Sequence, residues 1–413
     1  MATIRPFRAI RPAADRAETV IALPYDVMSR EEAAKMAEKN PYSFLHISRA
    51  EIDLPDQENP YCERVYQQSR ENFVNLQEEG IYLQDEKPCF YIYRQEMDGR
   101  YQTGIVGCFS IDEYENNTIK KHELTRLEKE MDRIHHFDTC SANTEPVFLT
   151  YRRSSQIDRL IADFLSESQP VYDFRSADGI GHTLWVLDDD TLIKDICRQF
   201  AQIDGLYIAD GHHRSASACE VGKKRRKENP DYDGTEEFNY FMAVIFPDSD
   251  LKIFDYNRVV KDLNGYTKEE LLDKIANAGF IVTDQGEVPY RPEKTHEFSM
   301  YLDGHWYKME TKPEIIPENV IGALDVSILQ DNVLEPVLDI GDPRTDSRID
   351  FVGGIRGLDE LSRRADSDMK LAFAVYPVTM EELMNIADCG EIMPPKSTWF
   401  EPNLGSGLFI HKI

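Results

Sequence analysis

Tyr207-Ile208-Ala209-Asp210-Gly211-His212-His213-Arg214-Ser215 carries an apolar stretch straight into glycine, two imidazoles and a guanidinium. The residues before Asp210 read as a short buried strand, and Ser215-Ala216-Ser217-Ala218-Cys219-Glu220 is small and helix-compatible. Gly211 to Ser215 are therefore expected to open a helix and to present free backbone N–H groups at its N-terminus, where an anion would bind. Gly211 lets a ligand approach the backbone, and His212, His213, Arg214 and Ser215 add side-chain donors to the same small volume. Phosphate is the anion this arrangement would suit. An Asp-Gly pair is also a common turn, and His-His-Arg also reads as a solvated helix start, so a structural alternative stands beside the functional one. A turn alone, however, does not require three cationic or ionisable donors at the positive end of a helix dipole.

The chain around this stretch has 413 residues, 41% of them hydrophobic, enough for the cores of two or three units. Its formal charge of −28, from 47 basic and 75 acidic residues, argues against a nucleic-acid surface, which depends on basic side chains displacing counterions. The one basic run, Lys223-Lys224-Arg225-Arg226-Lys227, follows the Asp-Gly-His-His-Arg segment and precedes Asn229-Pro230. It reads as the exposed C-terminal end of the same helix, complementing its dipole. No run of about 18 apolar residues is present and the N-terminus lacks an apolar signal core, so a cytoplasmic protein without a membrane partner is expected. Seven cysteines without C-x-x-C spacing point to reduced thiols.

Three units are expected: an α+β unit over 1–117, a unit over 118–260 holding the phosphate turn, and an α/β unit over 261–413. Ser29-Arg30-Glu31-Glu32, Thr267-Lys268-Glu269-Glu270 and Thr379-Met380-Glu381-Glu382 are capping boxes that should each start a helix. Met97-Asp98-Gly99 marks a hairpin between strands near 89–93 and 104–109. Thr118 to Cys140 carries charge on every helical face, which leaves few core anchors.

Within that segment Glu123, Arg126, Glu130 and Arg133 fall at helical spacings, the pattern of ordinary ion pairs. The other reading makes it a site wall, with His122, Glu123 and Arg126 turned toward a phosphorylated ligand and Glu123 a base or magnesium ligand. The histidines have no spacing that builds a zinc site. Met393-Pro394-Pro395-Lys396-Ser397-Thr398-Trp399-Phe400 is either a structural strap or a second contributor, with Lys396 a point charge for phosphate and Ser397 and Thr398 donors. Arg344 is a weaker candidate, and Pro24-Tyr25-Asp26 reads first as a turn, with Asp26 a catalytic carboxylate in the lesser reading.

A strand, then Asp210-Gly211-His212-His213-Arg214, then a helix resembles the phosphate-binding element of ParB/sulfiredoxin-like domains, whose Gly-x-His-Arg or Gly-x-Arg-Arg turn holds nucleotide phosphates. Ile4-Arg5-Pro6-Phe7-Arg8-Ala9-Ile10-Arg11-Pro12, Leu23-Pro24-Tyr25-Asp26-Val27, Lys121-His122-Glu123-Leu124-Thr125, Leu324-Asp325-Val326-Ser327-Ile328-Leu329-Gln330 and the 393–400 strap narrow the match. Together they resemble the bacterial and archaeal DUF1015 family, named for a domain of unknown function, over nearly the whole chain. The resemblance implies a mixed α/β chain with a ParB/sulfiredoxin-like phosphate-binding core. Sulfiredoxin chemistry would need a cysteine in the turn, where this chain has histidine.

The superfamily's free-serine kinases imply transfer of a phosphoryl group from a nucleotide, ATP or ADP with magnesium, to a small hydroxyl amino acid such as free L-serine. Asp210, Glu123 and His213 would then be catalytic, with Asp210 or Glu123 holding magnesium or accepting the proton, and the 211–215 turn holding phosphates. Phosphoserine hydrolysis and a non-enzymatic, ParB-like nucleotide switch are the other readings this constellation allows. The stretches near Glu123 and Lys396 are expected to border the same pocket.

Overall fold

The computed structural model describes residues 2–413 and gathers them into two compact units, one running to Leu251 and joined by Pro402–Ile413, the other Lys252–Glu401. This differs from the three units expected. The hairpin Phe90–Met97 and Arg100–Ser110, assigned to the N-terminal unit, pairs residue by residue with Tyr240–Pro247 of the expected middle unit. A boundary near 117 would therefore cut a continuous hydrogen-bonded sheet. The chain end also returns to the first unit, where His411–Lys412 pairs with Ala142–Asn143. Pairings across such sequence distances leave no local signal.

The first unit is built on a nine-stranded mixed sheet. Its main path runs Ile119–Lys120, Leu206–Asp210, Val147–Tyr151, Tyr240–Pro247, Arg100–Ser110, Phe90–Met97, Gly181–Leu187 and Tyr172–Arg175. Central strands such as Tyr240–Pro247 are buried on both faces, which is why they read as continuous apolar runs. Ile157, Ile193, Ile196, Phe200, Ala218 and Val221 from three helices pack on them. A second core joins the helices Leu45–Ser48 and Glu63–Glu78 to the chain end. Glu63–Glu78 buries Val65, Tyr66, Ser69, Phe73 and Leu76, the spacing of one helical face, and each large apolar side chain contributes about 1.5–3 kcal/mol.

The second unit is a six-stranded antiparallel sheet in the order Phe280–Gly286, His305–Thr311, Glu297–Leu302, Leu371–Val375, Tyr256–Val260, Ile349–Gly353. Gly357–Ser367 packs on it through Leu361 and Ala365. All three capping boxes form, each with both reciprocal hydrogen bonds. The expected hairpin turn also forms, with Asp98 and Gly99 both at positive φ. The basic run ends the helix His212–Glu228, and its cations meet acids: Lys223 pairs with Glu115, Lys224 and Arg225 with Asp138, Arg226 with Asp112. Among the described residues no helix is long and apolar enough to cross a membrane, and all seven cysteines are free.

Candidate functional site

Leu206–Asp210 is a buried strand whose pairing with Val147–Tyr151 slips at a bulge between Ile208 and Asp210, turning the Asp210 side chain out until it is half-exposed. Gly211 follows at φ 92°, a left-handed conformation, and a Cβ there would stand 3.0 Å from the Arg214 Nε. Glycine is thus required twice, by dihedral and by contact. His212–Glu228 begins at the next residue, with the Ser215 N–H giving the first helical bond to the Gly211 carbonyl. The N–H groups of His212, His213 and Arg214 ahead of it have no acceptor within the helix.

The side chains of the turn lie elsewhere than expected. Arg214 is 2% exposed and donates to the Pro146 carbonyl and to Asp210 Oδ2. Burial works against its charge, but Asp210, Asp26 and Glu145 outweigh it and raise its proton affinity. Its fork is spent on aiming Asp210, so it is a positioning residue and not an open phosphate clamp. Ser215 is fully buried, its hydroxyl bonded to the Gly211 and His212 carbonyls.

Both histidines act as staples. The backbone N–H of His122 donates to His212 Nε2 at 3.4 Å and that of Arg126 to His213 Nε2 at 3.0 Å. Those nitrogens therefore carry no proton. Burial holds the His212 imidazole well below its ordinary range, and burial lowers His213 as well, against the pull of Asp26 and Asp210. The expected phosphate-donor role of the two rings is replaced by anchorage of the 121–126 segment, whose backbone donors need acceptors once buried.

That segment is a loop, and the helix expected from 118 starts only at Leu127. His122 is fully enclosed, 4.5 Å from the His212 ring, with neither ring nitrogen partnered, so it is not a substrate contact. Glu123 and Arg126 are exposed on the loop. The charged face that looked anchorless is buried: Arg133 pairs with Asp132 at 2.8 Å and Glu145 at 3.4 Å, and its guanidinium lies 4.0 Å from the Tyr25 ring centroid. Tyr66 donates to Asp132, and Tyr25 N–H and Ser406 donate to Glu145.

This network floors a cavity of about 220 Å³ lined by Tyr25, Ser48, Arg49, Lys129, Arg133 and His136, among others. The Ser48 hydroxyl there is buried without a partner. Asp26, next in sequence to the lining residue Tyr25, is exposed and close enough to affect Asp210, whose proton affinity is raised by desolvation and by Asp26 against the opposing pull of Arg214. Lys129 and Arg126 act on His213 from the same side, and neither has a carboxylate partner among the described residues. The turn therefore brings Asp26 and Asp210 into one electrostatic neighbourhood with Arg126 and Lys129, and Lys129 also lines the cavity. Magnesium asks for one or two carboxylates besides phosphate oxygens, and Asp26 with Asp210 fits that demand. No group of three or more ligating side chains stands ready for a metal among the described residues.

Sequence reading missed Ser48, Arg49, Lys129 and Glu145 and gave Asp26 first a turn's role, with a catalytic carboxylate as the lesser reading. The Tyr25-Asp26 pair in an otherwise apolar Leu-Pro-Tyr-Asp-Val stretch was the available signal. Lys396, Ser397 and Thr398 belong to the second unit, where the Ser397 hydroxyl donates to the Pro394 carbonyl and Lys396 Nζ sits 5.3 Å from the Tyr256 ring. Arg344 pairs with Asp342 on an exposed loop of that unit.

Residues 4–327 match the family model "Protein of unknown function (DUF1015)". The chain belongs to that family. No curated protein matches it in sequence. Among solved structures it is similar to a free serine kinase in complex with AMP, with 15% identity and a TM-score of 0.35, covering 72% of this chain and 86% of that one. It is also similar to a conserved hypothetical protein from Pyrococcus furiosus, with 14% identity, a TM-score of 0.37 and coverage of 75% and 95%. A third is SbnI with C-terminal truncation from Staphylococcus aureus, with 11% identity, a TM-score of 0.39 and coverage of 74% and 87%. Likenesses of this degree carry no functional argument.

Proposed function

We propose that this chain transfers the terminal phosphoryl group of a nucleotide, ATP or ADP, to the hydroxyl of a small metabolite, with free L-serine the acceptor favoured by the family resemblance. The observation that carries the reading is the clustering of charge at the His212–Glu228 N-terminus, where Asp26 acts on Asp210 and Arg126 and Lys129 act on His213, with Lys129 also lining the polar cavity. Phosphoryl transfer asks a protein for positioning and charge neutralisation, and these groups supply both. The resemblance to ParB/sulfiredoxin-like domains gives the same use to the turn.

In this reading the helix N–H groups and the cations Arg126 and Lys129 hold the donor's phosphates. Asp26 would hold the metal that accompanies them, with Glu123 a further candidate from the loop. Magnesium, when bound, neutralises charge that develops on the phosphate oxygens. Asp210, aimed by Arg214 and with its proton affinity raised, takes the hydroxyl proton as the acceptor oxygen bonds to phosphorus and the bridging oxygen leaves with the nucleotide. The acceptor occupies the cavity, where the unpartnered Ser48 hydroxyl and the Arg133 network offer polar contacts.

The test is incubation of the purified chain with ATP or ADP and magnesium, with and without L-serine, reading phosphoserine by ³¹P NMR. Serine-dependent nucleotide consumption, lost in Asp210→Asn, is expected. Release of phosphate from phosphoserine without nucleotide would replace the reading with a phosphatase, and serine-independent nucleotide binding without turnover would replace it with a switch.

A further inference from the structure

Arg258 lies in the strand Tyr256–Val260 of the second unit and is 4% exposed. Its guanidinium donates to two backbone carbonyls, those of Tyr256 and Lys396, and the latter is 3.2 Å away. Among the described residues no carboxylate pairs with it, and its two terminal nitrogens meet carbonyl oxygens alone. A buried charge is normally paired, because the desolvation cost is several kcal/mol and carbonyl dipoles compensate only part of it. Side chains alternate along a strand, so Arg258 shares a face with Tyr256 while Asn257 points the other way, bonded to Asp255. Asp255, the nearest acid in sequence, is thus engaged by Asn257 and Arg291.

Phe351 lies beside the guanidinium, 5.5 Å from ring centroid to Cζ. The strap over it is shaped by a Ser397-to-Pro394 bond and by Lys396 at φ 58°, a left-handed conformation that a non-glycine residue adopts at a cost. That twist turns the Lys396 carbonyl onto Arg258 while its ammonium, which has no carboxylate partner, rests near the Tyr256 ring. Burial holds the Arg258 proton affinity down to about 10, the direction an uncompensated cation takes. A ligand carrying negative charge would remove that penalty.

We propose that the second unit carries a phosphate-binding site at Arg258, closed by the 393–400 strap and completed by Lys396. It takes inorganic phosphate or the phosphate of a small ester, since a guanidinium without a carboxylate partner and an ammonium together suit a dianion better than a single carboxylate. The inference is independent of the kinase reading.

The experiment is calorimetric titration and thermal unfolding of the full chain with inorganic phosphate, against acetate as the carboxylate arm. The first unit's phosphate site is weakened by Arg126→Ala with Lys129→Ala, and the binding that Arg258→Met removes in that background belongs to Arg258. In that background phosphate is expected to bind and raise the melting temperature by several degrees, with acetate at least tenfold weaker. Arg258→Met should remove the phosphate response and, in phosphate-free buffer, melt at or above its parent. Phosphate binding that survives Arg258→Met, acetate binding as strong as phosphate, or no phosphate binding in the parent each overturns the proposal. Should Arg258→Met fail to fold, Lys396→Gln is the second reading: a tenfold or greater loss of phosphate affinity supports the site, and unchanged affinity overturns it.

Discussion

Arg214, in the first turn of a helix, and Arg258, in the middle of a strand, are both buried arginines, and they differ in their partners. Arg214 has a carboxylate four residues before it, so its charge is neutralised locally and its work is to aim Asp210. Arg258 has carbonyls alone. The difference teaches that burial of a cation has two meanings: with an internal acid it is a structural strut, and without one it is a vacancy in the charge balance that a ligand can fill. The sharpest way to break the comparison is Arg214→Ala, which strands Asp210 and the network behind it. It should destabilise the fold by about 3–5 kcal/mol in urea unfolding, whereas Arg258→Met should stay within about 1 kcal/mol of wild type or rise above it. Equal losses in both would erase the distinction.

The strut also has a chemical consequence. Asp210→Asn keeps an oxygen for Arg214 but removes the proton acceptor, so serine-dependent turnover should fall by about two to four orders of magnitude with a modest change in melting temperature. A variant that melts like wild type and turns over like wild type would take Asp210 out of the chemistry.

What could be read from sequence follows the range of the interaction. The capping boxes at Ser29, Thr267 and Thr379, the Asp98-Gly99 turn and the strand-Gly211-helix junction are set within a few residues, and each formed as read. The position of Arg214 could not be read, because the partners that pull it inward, Pro146 and the field of Glu145, come from a distant strand entry. The same holds for Arg133, which reads as half of a helical ion pair until Glu145 and Tyr25 arrive. The histidines misled for a related cause: donors in sequence, they became acceptors once a loop ninety residues away needed its backbone satisfied.

The contrast between partnered and unpartnered buried charge extends to acids. Asp325 in the second unit is buried, accepts the His296 N–H with one oxygen and leaves the other without a partner. Desolvation raises its carboxyl to about 7, with Glu382 and Glu297 adding repulsion. The folded state therefore holds a proton that the unfolded chain releases near pH 4, so stability is full below that and falls as pH rises toward 7. Asp325→Asn should remove the slope and be more stable than wild type by about 3 kcal/mol at pH 8, the gap closing toward pH 4. A parallel pH dependence in both proteins would show that the carboxyl titrates normally.

His122 supplies the opposite sign in the first unit and the smallest of these effects. Its ring is enclosed with both nitrogens unpartnered, and burial lowers its pKa to about 4. Between pH 6.5 and 4 the unfolded chain binds a proton that the folded chain refuses, so this residue's contribution is full above 6.5 and is lost as pH falls through that window. The loss is about 2–3 kcal/mol at its limit. His122→Leu, of similar bulk and without a titrating group, should flatten that acid slope while leaving stability at pH 7.5 within about 1 kcal/mol. The loop it occupies should stay stapled, because His212 and His213 hold it by its backbone and not by the His122 ring. Unfolding midpoints measured from pH 4 to 8 decide the matter: if the variant loses stability on acidification as steeply as wild type, the acid sensitivity belongs to other groups and the enclosed ring is a passive filler.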